Sequence, residues 1–420
     1  MFRLFATLAL GAALVTVPFE VWSQEVNGAP PAGAGKETIT LSLEEAVQLA
    51  VRSAPRVLSR QARTPELEGL RVEAEIYPRL NPTFEIAVGP RVAGSELSPT
   101  VSLEFIQVLG LGGGVAARLE ALEASLERSK AETLGTIQSV QRAVALAFVR
   151  VLWAEERLKL ANEQAALALA TLTATEQRKT AGDTSQLELN IAKMGIDRAD
   201  ADKKDSEALR RAALGQLRLL LGISYDANLT LKGKLSEVGT ADLANMLSKA
   251  KNRPELAAIA AELREAEAEV AFGDTLAAPD LGLGVRYQHE DKGVNTIMGV
   301  FSLSLPFFDY GQGVTARSEA KKRRVQVDLQ QRSAEVPIEI QSAYEVFVTR
   351  RAAALNFGES INFDENLQLA STGYKAGETS LSELLILRRE LLDAKRTQTD
   401  RMLSAREAEI ELRAAAGALQ

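Results

Sequence analysis

Polar and apolar positions along the chain fall into two alternating regimes. In one, Phe84, Ile86 and Val88 alternate with Glu85 and Ala87, and Val101, Leu103 and Phe105 alternate with Ser102 and Glu104. The pattern returns as Leu283, Val285 and Tyr287 against Gly284, Arg286 and Gln288, then as Phe301, Leu303 and Leu305 against Ser302 and Ser304. Period two with one apolar face predicts β-strands. Polar or glycine-bearing loops (89–100 and 290–295) join each pair, so hairpins are expected over 81–108 and 280–306.

In the other regime Leu119, Leu122, Leu126, Leu134, Ile137, Val140, Val144, Phe148 and Val151 recur at threes, fours and their sums, with no proline before Gly182. This predicts a helix over 114–181, roughly 100 Å long. Such a rod belongs to a coiled coil or helical barrel and not to a globular core. Further helices are expected over 185–221 and 380–416, with a second long helix over 314–376 that Pro337 should kink near Glu335. Shorter helical segments, Leu43 to Glu75 and Ala241 to Gly273, precede the hairpins.

The whole series occurs twice. Thr180-Ala181-Gly182-Asp183-Thr184-Ser185 returns as Lys375-Ala376-Gly377-Glu378-Thr379-Ser380, and Gly114-Val115-Ala116-Ala117-Arg118 as Gly313-Val314-Thr315-Ala316-Arg317. One unit used twice predicts pseudo-twofold architecture, with repeats at 41–222 and 241–417 and a linker at 223–240. Between these two motifs the second copy falls about four residues short, close to one helical turn, which points to an indel inside a helix.

Composition then narrows the class. A net charge of −7 over 420 residues argues against nucleic acid as a partner. With no cysteine and one histidine, His289, thiolate, disulfide and Cys/His zinc chemistry are excluded. No Ser sits in a G-x-S-x-G context, and Gly110 to Gly114 lack the spacing of a dinucleotide-binding loop. The chain reads as no enzyme, with no cofactor and no metal site. Arg3 followed by an apolar run from Leu4 to Val17 predicts a secretory signal peptide over 1–23, cleaved after Ser23, and a flexible leader over 24–40.

Amphipathic strands behind a secretion signal point to a membrane barrel with polar residues such as Glu85, Glu104 and Arg286 in its lumen. Four strands cannot close one, and open edges are not tolerated in a bilayer, so the barrel has to be shared between chains.

The element order resembles the TolC family of outer-membrane efflux proteins. The resemblance is carried by Leu43-Glu44-Glu45-Ala46-Val47, Arg253-Pro254-Glu255-Leu256 and Pro279-Asp280-Leu281, and by the joint Ser304-Leu305-Pro306-Phe307-Phe308-Asp309-Tyr310-Gly311-Gln312-Gly313. That joint, with Gly112-Gly113-Gly114, is most similar to the heavy-metal efflux branch. The resemblance implies a mainly α fold with a small β part. Three chains would build one twelve-stranded outer-membrane barrel continued by a periplasmic helical tunnel. It further implies an exit duct working with a periplasmic adaptor and an inner-membrane transporter of the RND type. A type I secretion duct would share this fold, and a soluble periplasmic coiled-coil scaffold would share the signal peptide and helical hairpin.

Both Ala-Gly-(Asp/Glu)-Thr-Ser turns lie far from the strands. The resemblance makes Gly182, Asp183, Thr184, Gly377, Glu378 and Thr379 the adaptor-facing set, and Glu188, Glu383 and Tyr374 candidates for the gate. Local chemistry offers another reading. Ser185 with Glu188, and Ser380 with Glu383, have capping-box spacing, and Tyr374 can make a hydrophobic contact across its hairpin.

Overall fold

The computed structural model describes residues 38–93, 96–290, 293–357 and 362–419. The expected signal peptide and most of the leader lie outside them. Strand β1 (Thr38–Leu41) leads into α1 (Leu43–Ser53), α2 (Pro55–Gln61) and α3 (Arg63–Glu75). Ser42 starts α1 with a reciprocal cap. Its hydroxyl accepts from the Glu45 amide at 3.3 Å, and its own amide donates to the Glu45 carboxylate at 2.7 Å. The first hairpin follows, β2 (Thr83–Ala93) and β3 (Glu96–Gly110), then α4 (Gly114–Ala181) and α5 (Gln186–Leu221). After β4 (Asn228–Leu231) and α6 (Leu243–Lys249) the series repeats as α7 (Pro254–Thr275), β5 (Asp280–Glu290), β6 (Val294–Ser304), α8 (Gln312–Asn356), α9 (Phe363–Ala376) and α10 (Leu381–Ala415).

Several expectations are corrected. The helix expected over 314–376 is two helices: α8 ends where Phe357 turns extended (φ −76°, ψ 120°) and α9 restarts behind Asn362, whose side chain accepts from the Glu365 amide. The shortfall of about one turn in the second copy lies in the same stretch, since Phe347 follows Phe148 by 199 positions and Gly377 follows Gly182 by 195. The short helical segments are also interrupted, because Pro55 and Pro254 hold Ala54 and Arg253 in extended backbone. The loop expected at 89–100 is mostly strand. Pro90 sits opposite Pro99, one on an edge strand and the other just past the end of β5, so neither proline removes a needed ladder bond. Thr38–Leu41, across the boundary between the expected leader and the first repeat, pair in parallel with Asn228–Leu231 of the expected linker. Four residues of weak alternation could not announce that pairing.

The four long strands form one antiparallel sheet in the order β2-β3-β5-β6, so β3 and β5 join the repeats and β2 and β6 are open edges. Register sorts the two faces. Glu85, Glu104, Arg286 and Met298 lie in one row across the strands. Arg286 donates to Glu104 at 2.7 Å, and Arg91 pairs with Glu290 on the same face. The other face carries the rows Phe84-Phe105-Val285-Gly299 and Ile86-Leu103-Tyr287-Ile297. It is bare, with Phe84, Val88 and Phe301 exposed.

The helical body has matched cores. Phe148 and Leu217 in the first repeat, and Phe347 and Leu412 in the second, are fully buried at corresponding positions. α4 packs along α7, and both helices bury alanines (Ala117, Ala124 and Ala131 on α4; Ala261, Ala266 and Ala268 on α7), small side chains that let helix axes come close. Sheet and body meet at two glycine joints. A side chain on Gly112 would meet the Thr275 carbonyl at 2.2 Å, and one on Gly311 (φ 87°) the Gly273 carbonyl at 2.3 Å.

These joints yield a graded prediction for thermal unfolding followed by circular dichroism. Gly313→Ala, helical and unobstructed, should leave the transition in place or raise it slightly, by up to about 1 kcal/mol. Gly113→Ala, at φ 70° with open space, should cost about 1–2 kcal/mol of backbone strain. Gly311→Ala adds a backbone clash to the same strain and should cost about 2–4 kcal/mol.

Candidate functional site: the two helical reversals

At the end of α4, Gly182 takes left-handed backbone (φ 85°), which lets the Asp183 amide reach the Arg178 carbonyl at 2.8 Å and the Gly182 amide reach Lys179 at 3.1 Å. At the end of α9, Gly377 (φ 79°) does the same for Glu378 to Gly373 at 2.9 Å and Gly377 to Tyr374 at 3.1 Å. Both are Schellman closures. Neither glycine is crowded: an added Cβ would meet nothing within 4 Å. Gly182, Asp183, Gly377 and Glu378 are exposed, whereas Thr184 and Thr379 are half-buried.

The two turns cap their second helices differently. Ser380 and Glu383 make a full capping box: the Ser380 amide donates to the Glu383 carboxylate at 2.8 Å, and the Glu383 amide donates to the Ser380 hydroxyl at 3.3 Å. The Ser380 amide first, and then the Ser380 hydroxyl, which donates to the same carboxylate at 3.0 Å, hold the Glu383 carboxyl below its ordinary pKa. In the first turn the Glu188 amide donates to the Ser185 hydroxyl at 3.2 Å, but the Glu188 carboxylate accepts from the Thr184 hydroxyl instead of the cap amide. Glu188 and Glu383 thus serve their own turns.

Tyr374 ties the repeats together. Its ring is buried against Leu381 and Leu384 of α10, the expected contact across the hairpin, and the Arg178 guanidinium lies 5.1 Å from the ring centroid. Its hydroxyl is 2.9 Å from Thr175 Oγ1 on α4. Thr175 already donates its one proton to the Thr171 carbonyl at 2.8 Å, so Tyr374 is the donor in this pair. One turn back on α4, Thr171 Oγ1 accepts from Arg388 of α10 at 2.8 Å, and Arg388 also donates to the Leu167 carbonyl at 3.1 Å. Thr171 and Thr175 therefore form two rungs on one face of α4, each grasped by the second repeat. Arg388 is buried with a carbonyl and a hydroxyl as partners, and that burial lowers its pKa from the ordinary arginine value.

The structure thus joins Tyr374 to four residues that sequence reasoning passed over: Thr171, Thr175, Arg178 and Arg388. The Thr-x-x-x-Thr spacing was the one available signal, since residues four apart share a helix face. Beside these rungs α5 and α10 flank a cavity of about 510 Å³ lined in part by Ile191, Met194, Arg198, Arg388 and Arg396.

A four-stranded sheet with a bare apolar face, standing on antiparallel helices that reverse at a common end, defines an outer-membrane channel subunit. Residues 46–223 and 248–418 match the outer membrane efflux protein family, and the chain belongs to that family. The cobalt-zinc-cadmium resistance protein CzcC of Cupriavidus metallidurans is 25% identical over 405 residues, covering 94% of each chain. Among solved structures, CusC superimposes with a TM-score of 0.73 at 16% identity, covering 92% of this chain and 95% of that one. The outer-membrane channel OprN gives 0.72 at 19% identity, covering 90% of each. VceC of Vibrio cholerae gives 0.69 at 15% identity, covering 89% and 96%. The protein is an outer-membrane efflux channel; neither secretion nor a soluble scaffold is favoured by these relationships.

Tyr374→Phe and Thr175→Val should each lower the protection of α9 and α10 amides in native-state hydrogen exchange by about 1 kcal/mol, with the double variant no worse than either alone. Additive losses would show that the two hydroxyls act separately. The Glu383 cap has a defined pH sense. Because its carboxyl is depressed when folded, its contribution is complete above the ordinary glutamate pKa and is lost as pH falls through the depressed value. Protection factors at the start of α10, taken relative to intrinsic exchange at each pH, should fall in that acid window and be flat with pH there in Glu383→Gln.

Proposed function

We propose that this chain is the exit duct of a tripartite efflux pump, assembled as a homotrimer whose three sheets close one twelve-stranded barrel. The observation that carries the reading is the open sheet, whose edges β2 and β6 are unpaired beside an exposed apolar face. Main-chain groups at such edges cost several kcal/mol each in hydrocarbon unless another strand takes them up. Further copies supply that strand.

In this reading the helical body extends into the periplasm, and Gly182, Asp183, Thr184, Gly377, Glu378 and Thr379 meet an adaptor. An RND-type inner-membrane transporter supplies the energy. Tyr374 and Arg388 hold the reversals against α4, and Glu188 and Glu383 place carboxylates near the closed end, where they favour cations over anions. Heavy-metal cations are the cargo the reading favours, supported by the likeness to CzcC, a cobalt-zinc-cadmium resistance protein.

Native mass of the protein extracted from outer membranes in mild detergent tests the assembly. A species of about three chains is expected; a monomer released without detergent would overturn the duct. Charge reversal at the exposed turn residues, Asp183→Lys with Glu378→Lys, should leave that mass unchanged. It should also abolish crosslinking to the adaptor and lower the tolerated metal concentration several-fold in cells.

A further inference from the structure

A guanidinium buried between helices ordinarily meets a carboxylate, because an unpaired charge taken out of water is costly. Arg388 on α10 is 7% exposed, and among the described residues it pairs with none. Its Nη1 is spent on the Thr171 hydroxyl and the Leu167 carbonyl, two neutral acceptors on α4. Its buried Nε–H has no acceptor among the described residues. The same side chain borders the cavity of about 510 Å³ beside the reversals.

That cavity is basic in an acidic protein. Four arginines and two aspartates line it, although the chain carries a net charge of −7. Arg396 engages both aspartates: it donates to Asp202 at 3.2 Å, as Gln164 also does, and stands 3.7 Å from Asp393. Arg389 has only a loose contact with Asp393, at 3.8 Å. Arg198, on the α5 wall, is exposed and forms no ion pair among the described residues. Between these charges the walls are apolar, with Ile191 and Met194 from α5 and Leu385 and Leu392 from α10. Gly195 keeps the α5 wall low, since a side chain there would meet nothing within 4 Å. Apolar walls, a few convergent polar groups and several hundred Å³ are the attributes of a small-molecule site.

We infer that this cavity binds a small amphipathic organic anion, its acidic head between Arg198 and Arg388 and its hydrocarbon along Met194, Leu385 and Leu392. A bare inorganic anion would leave the apolar walls uncovered, and a neutral molecule would leave Arg388 without a counter-charge. Arginine suits the head because its planar fork matches a carboxylate. Arg198 belongs to the first repeat and Arg388 to the second, so the bound anion ties α5 to α10 and braces the Thr171 rung. A ligand that fits this packing shifts the reversals toward it. The site lies within one chain and does not depend on the duct reading.

The test is hydrogen exchange read by mass spectrometry on the full chain in non-ionic detergent, with 2-naphthoate, its neutral counterpart 2-naphthamide, or sulfate. Naphthoate should slow exchange about five-fold or more, saturably, in peptides covering 191–198 and 385–392, whereas naphthamide and sulfate at the same concentration should not. Two variants guard against a folding artefact. Arg198→Glu reverses an exposed charge that has no partner to lose, and Gly195→Leu fills the cavity while improving helix propensity. Each should abolish the slowing without lowering the unfolding temperature of the free protein. Equal slowing by naphthamide would make the cavity a plain apolar groove, and equal slowing by sulfate a bare anion hole; either overturns the inference. So does slowing by naphthoate that survives both variants, which would put its binding elsewhere, or no slowing by any of the three.

Discussion

Hydrogen-bond satisfaction at the two edges of a four-stranded sheet governs most of this architecture. Among the described residues of one chain the internal strands are paired, from Thr83 opposite Ile106 to Asp280 opposite Ser304, while the outer sides of β2 and β6 face no further strand. Water could satisfy these edges if the apolar face were not there. With Phe84, Ile86 and Val88 on the same strand, water is the wrong solvent for one face, and lipid is the wrong solvent for the edges. In the proposed assembly lateral closure answers both demands, and the strand count would call for it before any interface residue does.

The helical body meets a different demand. A rod as long as α4 cannot be stabilised by propensity alone and needs lateral packing along its length. Near the sheet the packing includes buried alanines, in the middle it is built around Phe148 and Phe347, and at the far end hydroxyl and guanidinium hydrogen bonds are added to a smaller apolar cluster of Tyr374, Leu381 and Leu384. The change in chemistry matters. Alanine and phenylalanine contacts are non-directional and insensitive to a small slide, whereas the Tyr374-to-Thr175 and Arg388-to-Thr171 bonds have one geometry and are lost outright when it is lost.

Much of this was legible in the residues. Alternation at Phe84 to Val88 or Leu283 to Tyr287 marks a strand with two different faces, and the threes and fours from Leu119 to Val151 mark a long helix. Gly182 and Gly377 mark reversals because few other residues close a helix in left-handed backbone. What was not legible was relational. No pattern in Thr38–Leu41 says that its partner is Asn228–Leu231, since pairing between distant short strands leaves no local trace. The interruption at Phe357 was hidden by a periodicity that continues on either side of it, and the missing turn in the second repeat was its one sign. Arg388 reads as a surface charge on a polar helix, and only the approach of α4 buries it.

The two reversals are cousins and not copies. One closes its acidic side chain onto a cap amide, the other onto a neighbouring threonine hydroxyl, and only one carries the tyrosine. Around a threefold ring these would alternate, giving six sockets of two kinds. A partner with six identical contacts would then have to bind in two conformations or occupy alternate sockets at unequal strength. In the proposed trimer, stoichiometry at that end would be a question of quasi-equivalence, set by the inexactness of an internal duplication.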